Sequence, residues 1–100
     1  IQGTGTDPRS DLYSLAATLY HLLTGIPPED ALTRAMSVLS ERPDPLEPAS
    51  QLNQNVPRGL SAVLTMAMDL NADLRPQSAR QMREMIDSYE NFAELDTASA

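Results

Sequence analysis

One segment of this chain constrains its fold more than any other: an apolar run that extends from Ser10 to Thr24. On a helix its side chains would surround nearly the whole axis, and a helix that is apolar all round is normally buried inside a larger structure. Ser10 is the predicted N-cap and Gly25 the predicted C-cap, and the two prolines that follow prevent the helix from continuing. The apolar residues of this run are Leu12, Tyr13, Leu15, Ala16, Ala17, Leu19, Tyr20, Leu22 and Leu23.

Apolar residues at helical spacing predict three further helices. One covers residues 29–40, and the last begins after a cap at Gln77 or Ser78. The apolar residues of the third helix of the chain are Leu60, Val63, Leu64, Ala67 and Met68, and those of the last are Ala79, Met82, Met85, Ile86 and Tyr89. Residues 41–56 contain three prolines and no clear period. This segment is therefore predicted to be a loop, with Asn55 as the N-cap of the helix that follows. No segment of useful length alternates between apolar and polar residues as a half-buried strand does. The expected fold class is all-α.

The composition excludes several classes of function. The chain has 100 residues, with 14 acidic against 7 basic side chains, a net charge of −7 and no cysteine. Without cysteine it has no disulfide framework, thiol nucleophile or Cys-type zinc site. Every basic residue is arginine, so mechanisms that require a lysine ammonium are excluded as well. The acidic balance is unfavourable for binding nucleic acid, and no apolar run approaches the length of a membrane span.

Three ionisable residues are candidates for a functional role, and each also has a plain structural explanation. Asp11 would compensate the helix dipole in the first turn, or would accept backbone N–H groups from a neighbouring loop as a buried carboxylate. Arg75 would be a solvated loop arginine, or one half of an ion pair between two elements. His21 lies in an apolar helix of a chain with no second histidine, so a structural role is expected for it.

The order of the motifs is more specific than any one of them. Asp-Pro-Arg-Ser-Asp-Leu-Tyr-Ser-Leu at 7–15 opens the apolar helix, and Thr-Gly-Ile-Pro-Pro at 24–28 closes it. Asn-Ala-Asp-Leu-Arg-Pro then follows at 71–76. This order and spacing resembles the C-terminal part of the large lobe of bacterial, eukaryotic-like (Hanks-type) serine/threonine protein kinases. The chain departs from the family's usual pattern at Ala16, which is normally glycine, and at Ala72, which is often proline.

The resemblance implies a domain plan and two residue roles. Residues 1–90 would be a partial kinase domain, and residues 91–100 would be a tail or linker. Asp11 would match the aspartate at the start of helix F, whose carboxylate ties down the backbone of the catalytic loop. Arg75 would match the arginine that pairs with the glutamate of the Ala-Pro-Glu motif, and that glutamate would lie just ahead of Ile1. Helices F, G, H and I would correspond to residues 10–24, 30–40, 57–69 and 78–91.

Much of the machinery of a kinase is absent from this sequence. It contains no Gly-rich loop, no strand lysine, no His-Arg-Asp catalytic loop and no Asp-Phe-Gly metal site. No catalytic, cofactor-binding or metal-binding residue is therefore expected within the chain. The resemblance implies that ATP and Mg²⁺ belong to a full-length parent, which would transfer the γ-phosphoryl group to Ser or Thr of protein substrates.

Two interpretations from different classes follow. In the first, the chain is a kinase fragment that supplies scaffold and substrate-side helices and is inactive alone. Its partners would be the remainder of the kinase domain and protein substrates. In the second, it is a free-standing, non-catalytic helical interaction module derived from a kinase lobe. The start at Ile1, in mid-loop, favours the first. A cytoplasmic location is expected, and membrane anchoring of the parent stays open.

Overall fold

The structure is a computed structural model that describes residues 7–88. Every regular element in this range is helical, so the all-α prediction is confirmed. The predicted tail, 91–100, and the predicted end of the last helix lie outside the described residues. In chain order the elements are α1 (Pro8–Thr24), α2 (Ala31–Leu39), α3 (Ala49–Leu52), α4 (Arg58–Ala67), a 3-10 turn (Ala72–Leu74) and α5 (79–88).

Helix α1 begins two residues earlier than the sequence predicted, and Ser10 is not its N-cap. The N-cap is Asp7, which has extended backbone angles and accepts a hydrogen bond from the N–H of Arg9 at 2.8 Å. Pro8 occupies the first helical position, where its fixed φ suits a helix and its missing N–H would have had no intrahelical partner. The proline therefore starts this helix, and the serine two residues later lies within its first turn.

The predicted C-cap of α1 is confirmed. Gly25 has a φ of +75°, in the left-handed region that side chains other than glycine adopt at a cost, and its N–H donates to the carbonyl of His21 at 2.8 Å. His21 itself is exposed in the last turn of the helix. The chain then turns sharply before α2, whose N-cap Asp30 accepts from the N–H of Thr33 at 2.8 Å.

The core of the described residues lies between α1, α3 and α4. From α1 it receives a narrow stripe of residues spaced four apart. This spacing places them on one side of the helix, which therefore faces the other two helices. The buried apolar residues are Leu12, Ala16, Tyr20, Ala49, Val56, Val63, Leu64, Ala67, Met68 and Met82.

The segment predicted as a loop, 41–56, contains the short helix α3. Four residues are too few for an apolar period to be recognised, so tertiary contacts define this element instead. Ala49 is fully buried, and the side-chain amide of Asn53 donates to the carbonyl of Leu23 near the end of α1 at 2.8 Å. These contacts hold the segment against the core.

The predicted cap at Asn55 is wrong. Helix α4 has Pro57 at its N-cap, with no side-chain hydrogen bond to the helix. The serine in its first turns, Ser61, is buried and accepts from the N–H of Ser50 at 3.1 Å instead. Among residues 7–88, no helix combines the length and the hydropathy that crossing a membrane requires.

Candidate functional site

The start of α1 and the turn after α4 lie against each other, although about 60 residues separate them. Arg9 joins them: its guanidinium forms a salt bridge with Asp73 at 2.7 Å and another with Asp7 at 2.9 Å. The hydrogen bonds from Arg9 hold the pKa of the Asp7 carboxyl below its usual value. Asp73 is exposed and Arg9 and Asp7 are only half-buried, so solvent screens these charges and the contact contributes orientation more than stability.

The turn between α4 and α5 is held by hydrogen bonds between its own side chains and its own backbone. The Asp69 carboxylate accepts from the N–H of Asn71 at 2.8 Å, and the Asn71 side chain accepts from the N–H of Asp73 at 3.0 Å. Such short-range bonds replace helix or strand hydrogen bonds and fix a tight turn. The Asn-Ala-Asp-Leu-Arg-Pro motif is therefore a rigid corner.

Arg75, at the end of this corner, points back towards α1. Its Nε donates to the carbonyl of Asp69 at 2.7 Å, and its guanidinium lies over the ring of Tyr13, 4.9 Å from the centroid. This is the geometry of a cation–π contact. Arg75 forms no salt bridge with a carboxylate of residues 7–88. The predicted pairing with a glutamate ahead of Ile1 stays a prediction.

Sequence reasoning missed the most enclosed charge of the described residues, Arg34 in α2. Its side chain is almost fully buried, and its guanidinium donates two hydrogen bonds of 2.9 Å to the Asp44 carboxylate. The third nitrogen, Nη1, donates to the carbonyl of Met68 at 2.7 Å and to the hydroxyl of Tyr13 at 3.0 Å. Arginine is rarely buried unless it is paired in this way. The available signal was Asp44, a lone acid between two prolines.

Arg34 and Asp44 each stabilise the charged form of the other. Burial opposes the charge of Arg34, but the hydrogen bonds to Asp44 and Tyr13 more than offset it, so the pKa of Arg34 is raised. The hydrogen bonds from Arg34 lower the pKa of Asp44, although partial burial acts in the opposite direction. Both groups are therefore held in their charged forms at neutral pH.

We expect the contribution of Asp44 to stability to disappear in acid. A carboxyl whose pKa is lower in the folded than in the unfolded chain stabilises the fold above its unfolded pKa, near 4, and this contribution is lost as the pH falls through the folded pKa. The melting temperatures of the wild-type chain and Asp44→Asn should therefore differ clearly at pH 7 and converge in acid below the folded pKa of Asp44. Asp87→Asn, at an exposed position of α5, is the control and should show little difference at either pH. A gap that stays constant with pH would contradict this assignment.

Asp11 lies on a face of α1 that the described residues leave uncovered. The carboxylate is in the first turn and is exposed. Leu15 and Leu22, which share its side of the helix, are 48% and 75% exposed. Only the opposite side of α1 is buried. The sequence predicted a helix that is apolar all round, and residues 7–88 cover one side of it. The role of Asp11 in supporting a catalytic loop stays a prediction.

Acidic and histidine side chains do not cluster as metal ligands in the part of the chain that the structure describes. The chain has no lysine, and residues 7–88 contain no group of three or more acidic or histidine side chains arranged to hold a metal ion. The assignment of ATP and Mg²⁺ to a full-length parent stays a prediction.

The arrangement of these helices resembles that of a protein of known structure. The chain is similar to the solved structure of PpkA-294 in its apo form, with a TM-score of 0.69 and 27% identity over 85% of this chain and 28% of that chain. A long central helix with shorter helices packed on one side is thus the helical part of a protein kinase large lobe. No model of a protein family matches the chain.

The sequence relatives are more specific. The chain is 40% identical over 84 residues to the serine/threonine-protein kinase PknB of Mycolicibacterium smegmatis and 36% identical over 88 residues to the DNA damage-responsive serine/threonine-protein kinase RqkA of Deinococcus radiodurans. It is also 34% identical over 84 residues to a probable serine/threonine-protein kinase of Clostridium perfringens. These matches include 82%, 84% and 81% of this chain and 13%, 13% and 12% of those relatives. The chain belongs to the bacterial serine/threonine protein kinases and spans only a small part of the length of these relatives.

Proposed function

We propose that this chain is the helical scaffold of a protein kinase that transfers the γ-phosphoryl group of ATP to Ser or Thr hydroxyls. The chain spans only about an eighth of the relatives it matches, and within the proposal the transfer itself belongs to residues outside this segment. Within the proposal, this segment positions a site that it does not contain. ATP, Mg²⁺ and protein substrates are ligands of the whole kinase.

The uncovered face of α1 is the observation that supports this proposal most strongly. It combines exposed leucines with one carboxylate, Asp11, at the positive end of the helix dipole. Leu15 and Leu22 lie two turns apart on the same side of the helix, and exposed apolar side chains grouped on one side mark a surface that another part of a protein covers. A carboxylate at its end is suited to accept backbone N–H groups from a loop that packs there. We assign this face to the catalytic half of the kinase.

Arg75 has a matching role in the proposal. Its Nε is already bonded to the corner that carries it, and its ring contact holds the guanidinium in one orientation. The remaining donors of the guanidinium suit the planar carboxylate of the activation segment. Asp11 and Arg75 would therefore act as two supports of the catalytic site, neither of them catalytic.

Phosphotransfer provides the direct test. The 100-residue chain, incubated with ATP, Mg²⁺ and a generic acceptor protein, is expected to transfer no phosphate, because it lacks the nucleotide-binding motifs. The protein encoded by the complete reading frame that contains this segment is expected to phosphorylate the acceptor on Ser or Thr. Turnover by the 100-residue chain that Asp11→Asn abolishes would overturn the supporting role of Asp11.

The same experiment decides the alternative function. A complete reading frame that encodes these helices without the kinase motifs would leave the free-standing interaction module as the function. Phosphotransfer by the complete protein would exclude that alternative.

A further inference from the structure

Helix α2 is attached to the rest of the structure in an unusual way. A short helix is normally held by an apolar stripe that it buries against its neighbours. All residues of α2 are described, and the only one of them that is buried is Arg34. Its large apolar side chains, Leu32, Met36 and Leu39, are each more than half exposed. Hydrophobic burial therefore contributes little to holding this helix.

The guanidinium of Arg34 supplies the attachment instead. It bonds to three separate parts of the chain: the Asp44 carboxylate in the segment after α2, the carbonyl of Met68 at the end of α4, and the hydroxyl of Tyr13 in α1. A planar fork with several donors fixes orientation as well as distance. Removing it would leave a buried carbonyl and a carboxylate without their partner, which is costly.

Tyr13 links this attachment to the rest of the site. Its hydroxyl accepts from Arg34, while its ring lies under the guanidinium of Arg75. It is two residues from Asp11 on the same helix. Tyr13, at the start of α1, therefore contacts both the arginine that holds α2 and the arginine of the corner after α4.

We propose that Arg34 is a positioning residue, a latch that fixes α2 against α1 and α4, and that its loss releases α2 while the core remains folded. The proposal rests on the proposed function in one respect. In the kinase-fragment interpretation the chain supplies substrate-side helices, and we assign α2 to that side because Leu32, Met36 and Leu39 leave its apolar face exposed. Arg34 then sets where a protein substrate is held relative to the site supported by Asp11.

Hydrogen exchange followed by mass spectrometry on the 100-residue chain tests the latch. In Arg34→Met, which keeps the side-chain length and removes the donors, the amides of α2 should exchange at least about tenfold faster, and those of α4 should change by less than about twofold. Arg42→Met, at an exposed arginine just after α2, is the matched control and should leave α2 unchanged. Equal acceleration in α2 and α4, or none in α2, would overturn the latch.

If Arg34→Met does not fold, the Tyr13→Phe variant tests the latch by hydrogen exchange in its place. It removes one of the hydrogen bonds of Arg34 and keeps the ring under Arg75, so α2 should exchange faster by a smaller factor than in Arg34→Met, again without a change in α4. Acceleration that spreads through α1 and α4 would show that Tyr13 and Arg34 stabilise the core as a whole, and would refute a local latch.

Kinetics of the protein encoded by the complete reading frame test the link to substrate. Arg34→Met should raise the KM for a protein substrate about tenfold, with the KM for ATP changed by less than about twofold, because only α2 moves. A selective exchange effect with an unchanged protein KM would overturn the role in substrate positioning. If the complete wild-type protein transfers no phosphate, the proposed function fails, while the exchange result still decides the latch.

Discussion

Replacing Asp11 by alanine in the protein encoded by the complete reading frame is expected to lower kcat by about 100-fold or more, with little change in the affinity for ATP. The proposed role of this carboxylate is to hold the backbone of the catalytic loop. Small displacements of catalytic groups, on the order of 1 Å, cost about 100-fold in rate. The residues that contact ATP lie elsewhere in such a kinase, so nucleotide binding should persist. Steady-state kinetics together with ATP titration separate the two effects.

Two further variants make this test specific. Asp87→Ala removes an exposed aspartate from α5 and should leave kcat unchanged. Asp11→Asn retains one acceptor oxygen and should keep part of the activity that alanine loses, because a neutral acceptor still bonds to backbone N–H groups. A normal kcat in Asp11→Ala would refute the supporting role. Equal losses of ATP affinity and kcat would show that Asp11 acts on the nucleotide site instead.

The largest loss of stability is expected from Leu64→Ala. Leu64 is fully buried in α4, in the core where this helix meets α1. Its truncation removes transfer free energy and leaves a cavity, at a cost of about 3 kcal/mol. Complete native domains have total stabilities of only about 5–15 kcal/mol, so a loss of this size would be a large fraction even of a complete domain's stability. Urea unfolding followed by circular dichroism measures it, at several protein concentrations because an apolar face is exposed.

Leu22→Ala is the matched control. It makes the same chemical change in a helix, but Leu22 is 75% exposed and the described residues place little against it. Its free energy of unfolding should therefore stay within about 0.5 kcal/mol of the wild-type value. In the complete kinase, where we assign this face to the catalytic half, the same substitution should become destabilising. Similar losses for both variants in the 100-residue chain would contradict the burial pattern.

Local signals predicted the elements of this fold well. The apolar run and the glycine at its end predicted α1 and its C-cap, and apolar spacing predicted α2, α4 and the described part of α5. The start of α1 was misplaced because serine and aspartate are both good N-caps, and the proline at the first helical position decided between them. Helix α3 was missed because a four-residue helix has no period to detect.

The charged contacts could not be predicted in the same way. Arg34 looks like one polar residue of an amphipathic helix, and its burial depends on Asp44, Met68 and Tyr13, which lie 10, 34 and 21 residues away. For Arg75 the sequence left open a solvated arginine or an ion pair. Among the described residues its guanidinium lies over the ring of Tyr13, a contact that neither alternative included, and the pairing with a glutamate ahead of Ile1 stays a prediction. Partners of this kind are chosen by the packing of helices, which no local pattern encodes.

The sequence by itself determined that this chain is helical, where its longest helix ends and which family its motifs resemble. These properties follow from backbone preferences and from residues close together in the chain. Only the tertiary structure decided which side of α1 is buried, that Asp11 and two leucines share the uncovered side, and that α2 is held through Arg34. The physical reason is that burial and charge pairing are properties of surfaces brought together by folding, and each depends on residues that are distant in sequence.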